Sequence, residues 1–140
     1  MIDEEMVLRE FRRRMVAATG IDPETQLKVE NFDFSLAVPT VCEFSFGGEE
    51  ELVSSSRSRI RDFLIEYDVF AARGSGGEKA RAIAAAIRRE FDMSDDARRA
   101  VSGPGFDGIV KSVYSLTGHD DHVFRIQVPI HADIWEVRLG

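Results

Sequence analysis

"RIRDFLIEYDVFAARGSGGEKARAIAAAIRREF", residues 59–91, is the stretch on which the fold turns. In its first part Phe63, Ile65, Tyr67 and Val69 alternate with Asp62, Glu66 and Asp68, while Leu64 and Phe70 fall among the polar set. Period-two alternation predicts a strand whose first set faces a core. In its last part Ala80, Ile83, Ala84, Ile87 and Phe91 recur at helical spacing, and Arg81, Arg88 and Arg89 fall elsewhere, which predicts an amphipathic helix laid on a sheet. Between them lie Gly74, Gly76 and Gly77. Strand, glycine turn and helix are either a phosphate cradle in a parallel sheet or a plain reversal with a helix cap.

The spacing decides against the cradle. A phosphate-binding loop of the Walker type needs a glycine, four residues, then Gly-Lys-Ser/Thr, so that the lysine reaches the terminal phosphates and the hydroxyl holds magnesium. "GSGGEK" lacks that order. The dinucleotide fingerprint fails as well, because position 79, where its third glycine belongs, is Lys79. Glu78 would set a carboxylate beside the amides that must receive the phosphate. Ser75 with Glu78 three residues on fits a capping box instead. No nucleotide cofactor is expected.

Working outward, residues 3–19 place Val7, Phe11, Met15 and Ala18 at helical spacing, with acids first, Arg12, Arg13 and Arg14 later, and Gly20 as a stop. "IDPETQLKVENFDFSLAVP" carries turn signals and reads as a long connection, expected to pack in part through Phe32, Phe34 and Leu36. "TVCEFSFGG" predicts a strand with Cys42, Phe44 and Phe46 on its core face and Val41, Glu43 and Ser45 on the other. Residues 94–108, which include Gly-Pro-Gly, read as a loop with one short turn. "IVKSVYSLT" and "HVFRIQVPIHADIW" predict two strands joined as a hairpin by "GHDD". In the last of these Phe124, Ile126, Val128, Ile130 and Ile134 point one way and Arg125, Gln127, His131 and Asp133 the other. Pro129 has no N–H to donate, which favours an edge position or a bulge.

The order helix, strand, strand, helix, strand, strand, with two hairpins, predicts an α+β fold in two layers. A mainly antiparallel or mixed sheet of four to five strands should carry two helices on one face. A chain of 140 residues suits a single domain spanning 1–140.

Charge and cysteine usage narrow the partners. A net charge of -7 disfavours nonspecific binding to nucleic acid or to an anionic membrane. "MIDEEMVLREFRRRM" has neither the form of a secretory signal nor a continuous apolar run, so the reading is a soluble protein of a reducing cytoplasm. The single cysteine, Cys42, has no intramolecular disulfide partner and is expected to be a small core residue.

Three constellations invite a catalytic or metal reading. In "HDDH" the candidate ligands are His119, Asp121 and His122, but neighbours on an extended backbone diverge, and Asp120 and Asp121 are ordinary turn residues. No metal is expected. Asp62, Glu66 and Asp68 share a strand face, yet an acid/base pair needs environments that drive the two pKa values apart, and this face reads as solvated. No nucleophile arrangement accompanies Cys42. An enzyme is not expected.

"GGEEELVSSSRSRIR" sets Glu49, Glu50 and Glu51 against Arg57, Arg59 and Arg61 across a serine-rich stretch that reads as a solvated loop. Opposite charges at the two ends of one loop suit a head-to-tail contact between subunits, in which the acids of one meet the arginines of the next.

Nearly the whole chain resembles the minor tail protein family that includes the tail terminator of lambda-like long-tailed phages and its prophage-encoded relatives. The resemblance is carried by "RRRMVAATG", "VENFDF", "VPTVCEFSFG", the stretch 59–91 and "KSVYSLTGHDDHVFRIQVPIHADIW". It covers hydrophobic pattern and turns, and leaves "GEEELVSSSRSR" and "DDARRAVSGPGFDG" unmatched. It implies a non-enzymatic structural protein that assembles as a homo-hexameric ring on the finished tail tube. There it ends tube polymerisation and offers the surface for head joining. The implied partners are further copies of the chain, the tail tube protein and head–tail connector proteins, and the implied location is the virion tail, reached from the host cytoplasm. A head–tail connector or completion protein of similar build is the alternative, followed by a small metal- or nucleotide-binding protein.

Overall fold

The structure, a computed structural model, describes residues 2–29, 38–52, 59–72, 74, 77–119 and 123–137. Helix α1, Glu4–Thr19, starts where the Asp3 carboxylate accepts the Glu5 N–H at 3.0 Å. It stops at Gly20, whose φ of 70° is the left-handed conformation a glycine adopts without a Cβ clash. Val7, Phe11 and Met15, four residues apart, are its buried stripe. Helix α2, Gly77–Glu90, buries Ala80, Ala84 and Ile87 and ends with Arg88 and Arg89, whose charge suits the carbonyl end of a helix. Phe91, just beyond it, stacks on Phe11 with ring centroids 5.2 Å apart, which ties the two helices together.

The strands are β1 Leu27–Val29, β2 Thr40–Leu52, β3 Arg59–Ala72, β4 Ala100–Gly103, β5 Phe106–Val113, β6 Leu116–His119 and β7 Val123–Glu136. A third helix, α3, Asp96–Arg99, precedes β4. They form one sheet in the order β1-β2-β3-β7-β5-β4, with β6 also paired to β7. Every pairing is antiparallel except β1 with β2. The α+β class holds, with seven strands and three helices among the described residues where four to five strands and two helices are expected from the sequence. The additional elements are short. β1 lies within the 21–39 connection, while α3, β4 and the start of β5 occupy the 94–108 segment, where Pro104 and Gly105 make a hairpin turn rather than a loop.

Strand β3 presents Phe63, Ile65, Tyr67 and Val69 to the helices, and β7 presents Ile126, Val128, Ile130, Ala132 and Ile134; all nine are buried. Strand β2 is turned over relative to the sequence reading. Val41 lies opposite Val69 and Glu43 opposite Tyr67, so Val41 and Glu43 face the core while Cys42, Phe44 and Phe46 face the other way. Phe46 is 69% exposed. The inward Glu43 is tolerated because its carboxylate receives Arg12 Nη2 at 2.6 Å and the Tyr67 hydroxyl at 2.9 Å.

Pro129 also departs from expectation, since its strand is interior rather than at an edge. One side of β7 pairs continuously with β3, and the other pairs first with β5 and then with β6. Val113 lies opposite Ile130 and Leu116 opposite Gln127, so β5 and β6 keep one register across an interruption at residues 114–115. The gap falls opposite Pro129, which has no N–H to contribute to the ladder.

Candidate assembly surface

Both long helices lie on the face of Tyr67. The opposite face carries three cross-strand rows that run from β2 through β3 to β7: Cys42, Asp68, Gln127; then Phe44, Glu66, Pro129; then Phe46, Leu64, His131. Phe44, Phe46, Leu64 and Glu66, with Ser45, line a shallow cleft of about 120 Å³. On the β6 side, Tyr114 is 44% and Leu116 50% exposed. Exposed aromatic and aliphatic groups with a charged rim are the usual composition of a protein contact.

Asp62 is exposed as expected, but Glu66 and Asp68 are organised rather than simply solvated, which corrects the reading of those two. Asp68 is fully buried and accepts Arg125 Nε at 3.0 Å, with Arg125 Nη2 on the same oxygen. Glu66 receives Gln127 Nε2 at 3.3 Å and lies 3.9 Å from Arg125. Burial pushes the Asp68 carboxyl up to about 7, the neighbouring Glu66 carboxylate adds to this, and Arg125 opposes it. Burial likewise raises the Cys42 thiol, which keeps it protonated and unreactive. Cys42 is therefore a small buried residue as expected, although on the face away from the helices.

The charged segment is partly strand. Glu50, Glu51 and Leu52 pair with Arg61, Ile60 and Arg59, so acids and arginines flank one intrachain ladder instead of a loop. Arg61 is engaged within the chain: its Nε donates to the Gly48 carbonyl at 2.8 Å, its Nη2 bonds Glu4, and its guanidinium lies over Phe63. Glu49 falls at the irregularity between Gly47 and Glu50. Arg57 lies outside the described residues, as do Ser75 of the expected capping box, Phe32, Phe34 and Leu36, and Asp120, Asp121 and His122. His119 belongs to β6, opposite Phe124. Among the described residues no three His, Cys, Asp or Glu side chains are grouped to hold a metal, and no helix is long and apolar enough to cross a membrane.

Sequence reasoning missed one organising residue. The arginines of α1 read as dipole partners, but Arg14 is a staple. Its Nε meets the Glu90 carboxylate at 2.9 Å, Nη1 the Ala100 carbonyl at 2.8 Å, and Nη2 the carbonyls of Glu90 and Arg98 at 2.9 and 2.7 Å. The guanidinium also lies 4.6 Å from the Phe91 ring centroid. Only the fold brings those carbonyls together, so no sequence spacing announces them.

No family model and no curated sequence matches this chain. Solved structures do. One is 13% identical, with both chains covered over 100% of their length and a TM-score of 0.69. Another, from the virion of a native gene transfer agent particle, is 16% identical over 94% of this chain and 96% of its own, with a TM-score of 0.53. At these identities the likeness is one of fold.

Proposed function

We propose that the protein is a structural component of a phage-type particle and acts there as a tail terminator: a ring of subunits on the end of the tail tube that stops polymerisation and receives the head. The observation that carries this reading is the near full-length likeness to a chain of the gene transfer agent virion. The sequence resemblance to the terminator family points the same way. The open sheet face supplies a contact surface, since Phe46 projects beside an apolar cleft while the helices cover only the other side. A head-to-tail ring needs a heterologous contact whose rotation closes. The net charge of -7 suits a ring whose channel passes DNA without holding it.

Light scattering after size exclusion, run across protein concentration, tests the reading. A closed oligomer of about six subunits, alone or on adding tail tube protein, is the expected result. A strict monomer that neither associates nor binds tube ends at any concentration would overturn it.

A further inference from the structure

We propose that Glu66 and Asp68 form a proton switch on the open sheet face: with one proton on the pair the face joins a second copy, and with both groups ionised the contact weakens. The inference rests on the assembly reading above and names its regulation.

Two carboxylates share one guanidinium here. Glu66 and Asp68 are two residues apart on β3, so both side chains leave the sheet on the open face. Arg125 on β7 places Nε and Nη2 on Asp68 Oδ2, while its Nη2 lies 3.9 Å from Glu66 and its guanidinium lies over Phe70. The second Asp68 oxygen, Oδ1, is buried and has no hydrogen-bond partner among the described residues. A buried carboxylate oxygen left unmet is costly while the group is ionised. A proton on either residue leaves one negative charge, which a single guanidinium neutralises.

The other groups facing the pair do not replace that proton. Gln127 lies opposite Asp68 on β7 but gives its bond to Glu66. Cys42 lies opposite Asp68 on β2 as a protonated thiol, and Lys28 on β1 lies opposite Cys42 rather than the pair. Strand β6 sets Gly118 opposite Arg125. His131 lies one row beyond Glu66, and Asp62 and Asp133, with Lys111 on the latter, lie in the row after that. Burial, with the Glu66 charge beside it and Arg125 opposing, sets proton uptake by Asp68 at about 7.

The pair adjoins the apolar contact. Glu66 lines the cleft with Phe44, Phe46 and Leu64, and Asp68 stands in the next row. A second copy that covers the cleft removes water from it, which disfavours the charged form of the pair further. Covering and protonation therefore favour each other. The uncovered pair takes its proton near pH 7 and the covered pair takes it at higher pH. Association is then at full strength below about pH 7 and weakens as pH rises above it, by at most about tenfold per pH unit for one proton per contact.

Sedimentation velocity of the full chain, across protein concentration at constant ionic strength, measures the association between about pH 6 and pH 9, where ordinary carboxylates stay ionised. The parent's association should fall about tenfold over this window. Asp68→Asn, which keeps an oxygen for Arg125, should associate throughout as the parent does at the acid end, with unchanged circular dichroism. Glu66→Gln should move the fall to lower pH, because the like charge that favours the proton is gone. His131→Gln should retain the parent's fall. A parent that associates equally at every pH, a fall retained in Asp68→Asn, a midpoint unmoved in Glu66→Gln, or a fall abolished by His131→Gln overturns the switch and leaves the assembly reading standing. A parent that stays monomeric at every pH and concentration overturns the open-face contact between copies, and the switch with it.

Discussion

Glu43 shows how a single side chain decides which face of a strand is the core. Its carboxylate is 2% exposed, beneath Arg12, which is 33% exposed, and it also takes the Tyr67 hydroxyl. Burial and the neighbouring carboxylate push the Tyr67 phenol well up, so it remains a donor. Removing one partner of a buried pair leaves the other charge uncompensated. Arg12→Ala should therefore cost about 2–3 kcal/mol, less than for a fully buried pair because Arg12 is part-solvated, and Tyr67→Phe about 1 kcal/mol; urea denaturation measures both. Asp68 behaves differently, because its native carboxyl titrates near 7, above the ordinary aspartate value of 3.8. The folded state then binds the proton more tightly than the unfolded state between those values. This group's contribution to stability is full below about pH 4 and is lost as pH rises towards 7. Asp68→Asn removes that loss, so relative to the parent the variant should gain stability between pH 5 and pH 8. A parent-minus-variant difference that stays flat across this window in thermal melts would reject the raised carboxyl.

Elements show where local pattern suffices and where it does not. Strand β5 approaches β7 closely at Gly108, where an added Cβ would come within 2.4 Å of Ile134 Cδ1 and 2.8 Å of the Asp133 carbonyl oxygen. Gly108→Ala should cost about 1–3 kcal/mol through overpacking and raise amide exchange along the β5–β7 ladder. An unchanged melt would mean that the strands separate without cost. The long elements were legible in the sequence. Helices α1 and α2 and the inner faces of β3 and β7 follow from one period each, because their apolar residues sit on a single face. Strand β2 misled, since Phe44 and Phe46 outweigh Val41 in any hydrophobic count, and an inward Glu43 is tolerable through Arg12 on a distant helix and the Tyr67 hydroxyl on the next strand. Strands β1 and β4, of three and four residues, are too short for a period to register, and their stability comes from the neighbouring strand. Among the candidate site residues, Glu50 and Glu51 lie in β2 and Arg59 and Arg61 in β3, on one intrachain ladder where the sequence reads as a solvated loop.

For the molecule as a whole, the division of the sheet into a helix-covered face and an open face means that the proposed assembly contact can be tested apart from stability. Phe46 is 69% exposed and lies in the row of Leu64 and His131, so it contributes little to the core that Tyr67, Phe11 and Phe63 fill. Substituting an exposed residue usually changes stability by about 0.5 kcal/mol or less. An exposed apolar side chain beside an apolar cleft is, however, what a partner surface would bury. Phe46→Asp should therefore leave the melting temperature near that of the parent and abolish self-association or binding to tube ends. Salt sharpens the distinction from a contact made by surface charges. Subunits that each carry a net charge of -7 repel one another, and ions screen that repulsion while leaving apolar burial intact. Association through the open face should hold or strengthen between low and moderate salt, whereas a contact between the acids and arginines of residues 49–61 should weaken. A Phe46→Asp variant that assembles like the parent, with association that falls as salt rises, would move the contact from the open face to the charged hairpin.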